Sequence, residues 1–242
     1  MPATPDVLSN SVPILLVPPS EGKATGGIDR PWEPSKGSFG RLWEHREAAM
    51  DALVAAQGGD QKLLGLKGER LADAQDANMM LVGAPTLPAW RRYTGVVWDH
   101  MGPATLTPDE RRRLIVPSGL LGLVRGDDPV PPYRLKMGAR LPPLGLLSTW
   151  WRPIVTATLA RRLRGKVVID LLPQEHRAAW APRGEVAGVR IEFVDRSGKP
   201  GGHFAKAAKG RLARAILQDG PVAIENWRDD RFDLTVIPLP DR

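Results

Sequence analysis

The 242 residues include no cysteine. That absence excludes disulfides, thiolate nucleophiles, cysteine-based zinc sites and thiol redox sensing together. Histidine is scarce too. His45, His100, His176 and His203 stand far apart, and no pair has metal-ligand spacing, so no metal site and no cofactor are expected. No apolar run approaches the roughly 18–20 residues that cross a bilayer. The opening stretch MPATPDVLSNSV has no basic segment ahead of an apolar one. No signal peptide is therefore expected, and a cytoplasmic location without a membrane partner follows.

A nucleotide cradle is also missing. The segment Val17–Gly27, VPPSEGKATGG, follows an apolar run and carries a lysine, the usual beginning of a phosphate site. A P-loop needs a glycine five residues before its Gly-Lys pair and a Ser or Thr after the lysine. Here those positions hold Val17 and Ala24. Pro18 and Pro19 further remove backbone donors that would cradle a phosphate.

What is present is positive charge. The net charge is +7 and the pI about 10.0, which favours nucleic acid, nucleotides or acidic metabolites as partners. An apolar content of 42% against 25% charged suits a globular chain, and the length suits one large domain or two small ones.

Residues 1–11 read as a disordered leader, and residues 12–242 as one domain. Val12–Val17, Lys166–Leu172, Val186–Val194 and Phe232–Pro238 read as strands. Ser38 is placed to cap a helix with Leu42, Ala49, Met50 and Leu53 on its apolar face. Helical pattern recurs at Lys67–Val82, after the Thr107 cap and Pro108, over Leu147–Leu163 with an interruption at Pro153, and over Phe204–Leu217. The turn DRSGKPGG precedes that last helix. Strands alternating with helices give an α/β or α+β class: a single compact domain with a central mixed sheet flanked by helices.

Several blocks carry a likeness. YTGVVWDHM (Tyr93–Met101), SGLLGLVRGDDPVPPYRLKMGARL (Ser118–Leu141), TWWRPIVTATL (Thr149–Leu159), VVIDLLPQEH (Val167–His176), HFAKAAKGRLARAIL (His203–Leu217) and the opening LLVPPSEGK together resemble the YaaA family of peroxide-stress proteins. The blocks keep the family's order and span nearly the whole chain. The resemblance implies a compact α/β domain, DNA binding through a positively charged cleft and a helix-hairpin-helix element, and a role against peroxide and free-iron damage. The chain departs from the family pattern at Arg125-Gly126, where Arg-Pro is usual. It departs again at Leu172-Pro173-Gln174-Glu175-His176, where a Ser and a Glu-Tyr pair are usual. Both departures suit a specialised paralogue. Heavy use of Ala, Arg, Gly and Pro fits a GC-rich bacterial source.

The candidate site residues follow from position and chemistry, with the resemblance adding weight. Ser20, Glu21 and Lys23 leave a central strand where open α/β sheets place ligands. Glu21 and Lys23 are an acid–base pair or a structural ion pair. Pro131 and Pro132 stiffen an arm whose alternation sends Tyr133 and Leu135 one way and Arg134 and Lys136 the other. The arm is an anion-binding element or a solvated edge strand. Asp170 is a carboxylate inside an apolar strand, costly there unless paired. Glu175 and His176 follow it, either as a proton-transfer group or, for His176, as a helix-face residue. In the helix from Phe204, the reading places Phe204, Ala208, Leu212, Ala215 and Ile216 on one face and Lys206, Lys209 and Arg214 on the other, basic face. Gly210 marks a close approach. Trp150 could stack on a base.

Two functions stay open. One is a nucleic-acid-binding protein that limits peroxide damage, with Ser20, Arg134, Lys136, Lys209, Arg214 and Trp150 on the anion. The other is an enzyme acting on a small anionic or nucleotide-like substrate, with Glu21, Lys23, Tyr133, Glu175 and Lys206 as catalytic groups. Lys206 is expected to face the same cleft as Lys23 and Arg134. Without a thiol, any protection against peroxide is indirect.

Overall fold

The computed structural model describes residue 8 and residues 11–28, 30–182, 184, 186–197 and 202–239, side chains at 202 and 203 excepted. Six strands form one sheet: β1 (Ile14–Leu16), β2 (Leu114–Ser118), β3 (Gly122–Arg125), β4 (Val167–Asp170), β5 (Ala187–Asp195) and β6 (Phe232–Leu239). Their order is β6-β5-β4-β1-β2-β3. The inner four are parallel, and the edge strands β3 and β6 run antiparallel to their neighbours. The expected mixed α/β sheet is therefore present. Short apolar runs such as β1 are buried between flanking layers, which is why they lack alternation.

The flanking helices are α1 (Trp43–Ala55), α2 (Glu69–Met79), α3 (Val96–Met101), α4 (Pro108–Arg112), α5 (Leu147–Arg162), α6 (Gln174–Arg177) and α7 (Gly202–Asp219). Leu15, Leu16, Trp98, Trp151, Ile169 and Leu212 are among the fully buried side chains of a continuous core. No described helix is long and apolar enough to cross a membrane.

Local chemistry explains most boundaries. Thr107 Oγ1 accepts from the Glu110 N–H while the Glu110 carboxylate accepts from the Thr107 N–H, and Pro108 opens α4, a complete capping box. Ser38 does not cap α1. Its N–H and hydroxyl both donate to Asp128 Oδ1, at 2.8 and 2.7 Å, and α1 starts at Trp43 after a 3-10 turn over Gly40–Leu42. Helix α5 runs through Pro153, which lies on its exposed side.

The sequence reading assigns no strand to 114–125, yet β2 and β3 form there. Pro117 in the middle of β2 argues locally against a central strand, but β2 is buried along its whole length and pairs on both sides. The outer edge is closed by Arg46 of α1, which is 1% exposed. Its Nε and Nη2 donate to Leu121 O and Leu123 O at 3.0 and 2.9 Å, and its Nη1 to Pro34 O and Lys36 O. Carbonyls that an open sheet edge would present to another chain are thus occupied.

The expected face of α7 is partly wrong. Ala208, Leu212 and Ile216 are buried as read, together with Ala213 and Leu217, but Phe204 is 61% exposed. Gly210 does mark a close approach: a Cβ there would stand 2.4 Å from the Val97 carbonyl of α3. Of the expected leader, Leu8 is described and is buried in the core, with Ser11 donating to its carbonyl. The rest of the leader up to residue 10, and residues 198–201 of the Gly-rich turn, lie outside the described residues.

Candidate active site

Strands β4, β1 and β2 are parallel neighbours, so the chain leaves all three at the same edge. That edge is where open α/β sheets bind ligands. Leu16, the last residue of β1, pairs with Asp170, the last of β4, and the Leu171 N–H still donates to Leu16 O at 2.9 Å. The segments Val17–Lys23 and Leu171–Arg177 therefore run out of the sheet side by side.

Two polar side chains fix what lies over this edge. Arg92, fully buried, donates to the carbonyls of Val130, Ala24, Gly26 and Pro85 and pins the loop after Lys23. The Ala24 N–H to Arg92 O and Thr94 N–H to Gly22 O bonds make a one-residue antiparallel bridge that sets Lys23 beside Tyr93. Asn78 of α2 brackets the arm at Arg134. Its Oδ1 accepts from the Arg134 N–H at 2.8 Å, and its Nδ2 donates to Arg134 O and Gly58 O. Along that arm Tyr133, Leu135 and Met137 are buried while Arg134 and Lys136 are half-buried, the alternation expected of an extended chain.

The result is a small cleft, open to solvent, lined by Ser20, Glu21, Lys23, Tyr133, Arg134, Lys136, Glu175 and His176 together with Pro19 and Leu135. Seven of the sequence-selected residues thus meet in one place. Glu21 does not pair with Lys23. Its carboxylate accepts from Arg134 Nη2 at 2.6 Å and lies 3.1 Å from Lys136 Nζ, a forked clamp that suits guanidinium geometry. Partial burial alone would raise the Glu21 carboxyl, but Lys136 and Arg134 outweigh it and hold the group below the usual carboxylate range. Glu175 Oε1 accepts from the Gly138 N–H at 2.8 Å.

Lys23 is the unusual group. Its Nζ donates to Ser20 O at 2.8 Å and stands 4.1 Å from the centroid of the Tyr133 ring. Among the described residues no carboxylate pairs with it. Burial first, then the Arg134 guanidinium, pull its pKa down to about 7. Beneath it Tyr133 Oη is 2.7 Å from Ser118 Oγ and 3.0 Å from Tyr93 Oη, and Ser118 Oγ accepts from the Leu121 N–H. Burial raises both phenols, so they stay protonated and act as a fixed hydrogen-bonded floor. Burial also pushes His176 down to about 4. Its Nδ1 is buried without a partner, so it presents a neutral imidazole to the cleft and is not a solvated helix-face residue.

Behind the cleft the buried Asp170 is paired, as its position required. Arg177 Nε donates to it at 2.9 Å, and the Leu172 N–H at 2.7 Å. Lys209 of α7 donates to Leu171 O, and burial lowers its pKa to about 8. Among the described residues no group of three His, Asp or Glu side chains is arranged to hold a metal ion.

Four expected site residues do not line the cleft. Lys206 is exposed and does not line the cleft. Lys209, almost one helical turn further on, is the α7 lysine turned towards the strand ends. Arg214 donates to Met101 O, Gly102 O and Thr105 Oγ1 and caps the end of α3. Trp150 packs edge-on to Trp151 at 4.7 Å and against His45 at 5.5 Å, away from the cleft. Sequence reasoning did not find Tyr93, Ser118, Asn78 or Arg92. Each is a single polar residue that belongs to no motif, and Asn78 sits inside the helical pattern of Lys67–Val82, which does not mark it out.

The family profile described as peroxide stress protein YaaA matches residues 14–233. The chain belongs to the YaaA family. Similar proteins include a UPF0246 protein of Streptomyces coelicolor, 38% identical and covering 86% of this chain and 84% of its own length. A UPF0246 protein of Corynebacterium efficiens is 36% identical over 84% of each chain. One from Corynebacterium glutamicum is 33% identical over the same shares. The match covers all six strands at least in part and the whole cleft, so this YaaA site is built on the family's own scaffold. The similarity to actinobacterial proteins agrees with the Ala-, Arg-, Gly- and Pro-rich composition.

Proposed function

We propose that this YaaA-family chain is an enzyme acting on a small anionic substrate in the cleft, with Lys23 as its proton acceptor. The observation that carries the reading is Lys23 itself. A lysine enclosed at a sheet edge without a carboxylate partner is destabilising, and with a pKa of about 7 it offers a large share of neutral amine at pH 7 to a solvent-open cleft. Groups poised in this way cluster at catalytic sites. Arg134 and Lys136 supply the anion recognition, and the protonated tyrosines hold the geometry without competing for the proton. A screen of carboxylates, nucleosides and nucleotides by thermal shift tests it. At least one anionic class should raise the melting temperature of the native chain and lose that effect in Lys23→Met. A panel with no stabilising compound overturns the reading.

A second reading keeps nucleic acid as the ligand. It is supported by the net charge of +7 and by a broader groove that continues from the cleft through Lys136 and Glu175 to Lys62 and Arg140. In that case duplex affinity falls steeply with salt, because phosphate contacts release counterions. Absence of duplex binding at low salt removes it.

A further inference from the structure

We infer that Lys23 forms an imine with a small carbonyl compound that also bears a carboxylate, such as a 2-oxo acid or an aldehyde acid. The inference rests on the catalytic reading of the cleft and narrows its substrate class.

Geometry provides the first support. The Lys23 amine uses one donor on Ser20 O at 2.8 Å and rests on the Tyr133 ring, which leaves its lone pair free of any donor among the described residues. It shares the cleft with Arg134 and Lys136, cations that meet a carboxylate a short distance from the amine. Glu21 now occupies them with its own carboxylate, which is 59% exposed. The groups facing Lys23 are Glu21 and Arg134 across the cleft, Arg92 and Tyr93 from the loop that bridges it, Tyr133 beneath it, and the neutral His176. Arg134 and Arg92 disfavour the ammonium, Glu21 favours it, and burial tips the balance. An adjacent cation together with burial is a known way to prepare a lysine for Schiff-base chemistry.

The step balances without a further reagent. The amine lone pair adds to the carbonyl carbon and a proton released from nitrogen goes to the carbonyl oxygen; the nitrogen lone pair then expels that oxygen, which leaves as water with one further proton taken from the solvent, giving the protonated imine. The protonated imine then withdraws electrons from bonds at the neighbouring carbon. His176 lines the same cleft as a neutral imidazole and is the group nearest in kind to take a proton from that carbon.

Glyoxylate with cyanoborohydride tests this on the native chain at pH 7. The hydride reduces any imine to a stable carboxymethyl-lysine, which peptide mass mapping locates. Lys23 should label on the order of a hundredfold faster than an ordinary exposed lysine, which keeps its proton until pH about 10.4. Acetaldehyde, lacking the carboxylate, should label Lys23 more slowly, and Arg134→Met, which also removes a charge that lowers the Lys23 pKa, should slow glyoxylate more than it slows acetaldehyde. Labelling of Lys23 no faster than that of Lys206 overturns the inference. If Lys23 stays unlabelled while Lys23→Met still abolishes anion-induced stabilisation, the imine step falls and the proposed site stands. If both fail, the site falls with it.

Discussion

Lys23 Nζ sits 4.1 Å from the centre of the Tyr133 ring, so an amine that burial drives towards neutrality rests on a surface that attracts cations. The ring favours the ammonium by roughly 0.5–2 kcal/mol. Burial and the Arg134 charge oppose it and hold the pKa at about 7. Tyr133 therefore sets how much neutral amine exists at pH 7. Tyr133→Leu should lower the pH midpoint of Lys23 reductive labelling by about one unit. Tyr133→Phe keeps the ring and should keep the midpoint, although it loses the bond to Ser118. Equal midpoints for the leucine and phenylalanine variants would show that the ring has no electrostatic role.

Lys23 also leaves a mark on stability. Its ordinary pKa is 10.5 and its folded one about 7, so between those values the unfolded chain carries a proton that the folded chain has shed. Stability consequently rises with pH across this window, and below pH 7 the cost of the buried ammonium is present in full. Lys23→Met should be more stable than the native chain at pH 6, with the gap narrowing towards pH 9. Urea denaturation of both proteins at the two values measures it, and a gap independent of pH contradicts the assignment.

Glu21 acts as a resident anion on Arg134 and Lys136. Glu21→Gln should change stability by less than about 1 kcal/mol, because the Glu21 carboxylate is largely exposed. It should increase the stabilisation that inorganic phosphate gives in a thermal-shift titration. It should also move the Lys23 midpoint down, since the Glu21 charge supports the ammonium. Phosphate stabilisation equal to that of the native chain would rule out the resident-anion role.

The two lysines of α7 separate by burial. Lys206→Ala should stay within about 0.5 kcal/mol of the native stability and bind phosphate normally. Lys209→Met removes a buried donor from Leu171 O, near Asp170, and should cost about 1–3 kcal/mol. Guanidinium denaturation compares them, and a larger loss at Lys206 would invalidate the placement of α7.

Gly210 is a packing requirement. Alanine would gain about 1 kcal/mol of helix propensity. Its Cβ, however, would meet the Val97 carbonyl at 2.4 Å, and forcing α3 and α7 apart costs about 1–3 kcal/mol. A net loss of stability, read by thermal melting with unchanged helical content, is expected. A gain would mean that the helices approach less closely.

The sequence by itself determined the class of fold, most strand and helix positions, the cation-rich arm and the exclusion of thiol chemistry. Those features are local: an apolar run, a capping box at Thr107, an alternation from Tyr133 to Met137, an absent residue type. Pairing decided the rest. The strand at Leu114–Ser118 exists despite Pro117 because β1 and β3 supply partners on both sides. Ser38 was drawn away from α1 by Asp128, ninety residues along the chain. The parallel order of β4, β1 and β2 brings Ser20–Lys23 and Glu175–His176 to one edge, and the buried side chains of Arg92 and Asn78 help fix the loop after Lys23 and the arm at Arg134. An amine's proton affinity depends on the water and charge within a few ångströms of it. The sequence could name Lys23, but Arg92 and Arg134, the charges that help lower its pKa, come from distant segments, and folding alone assembles them.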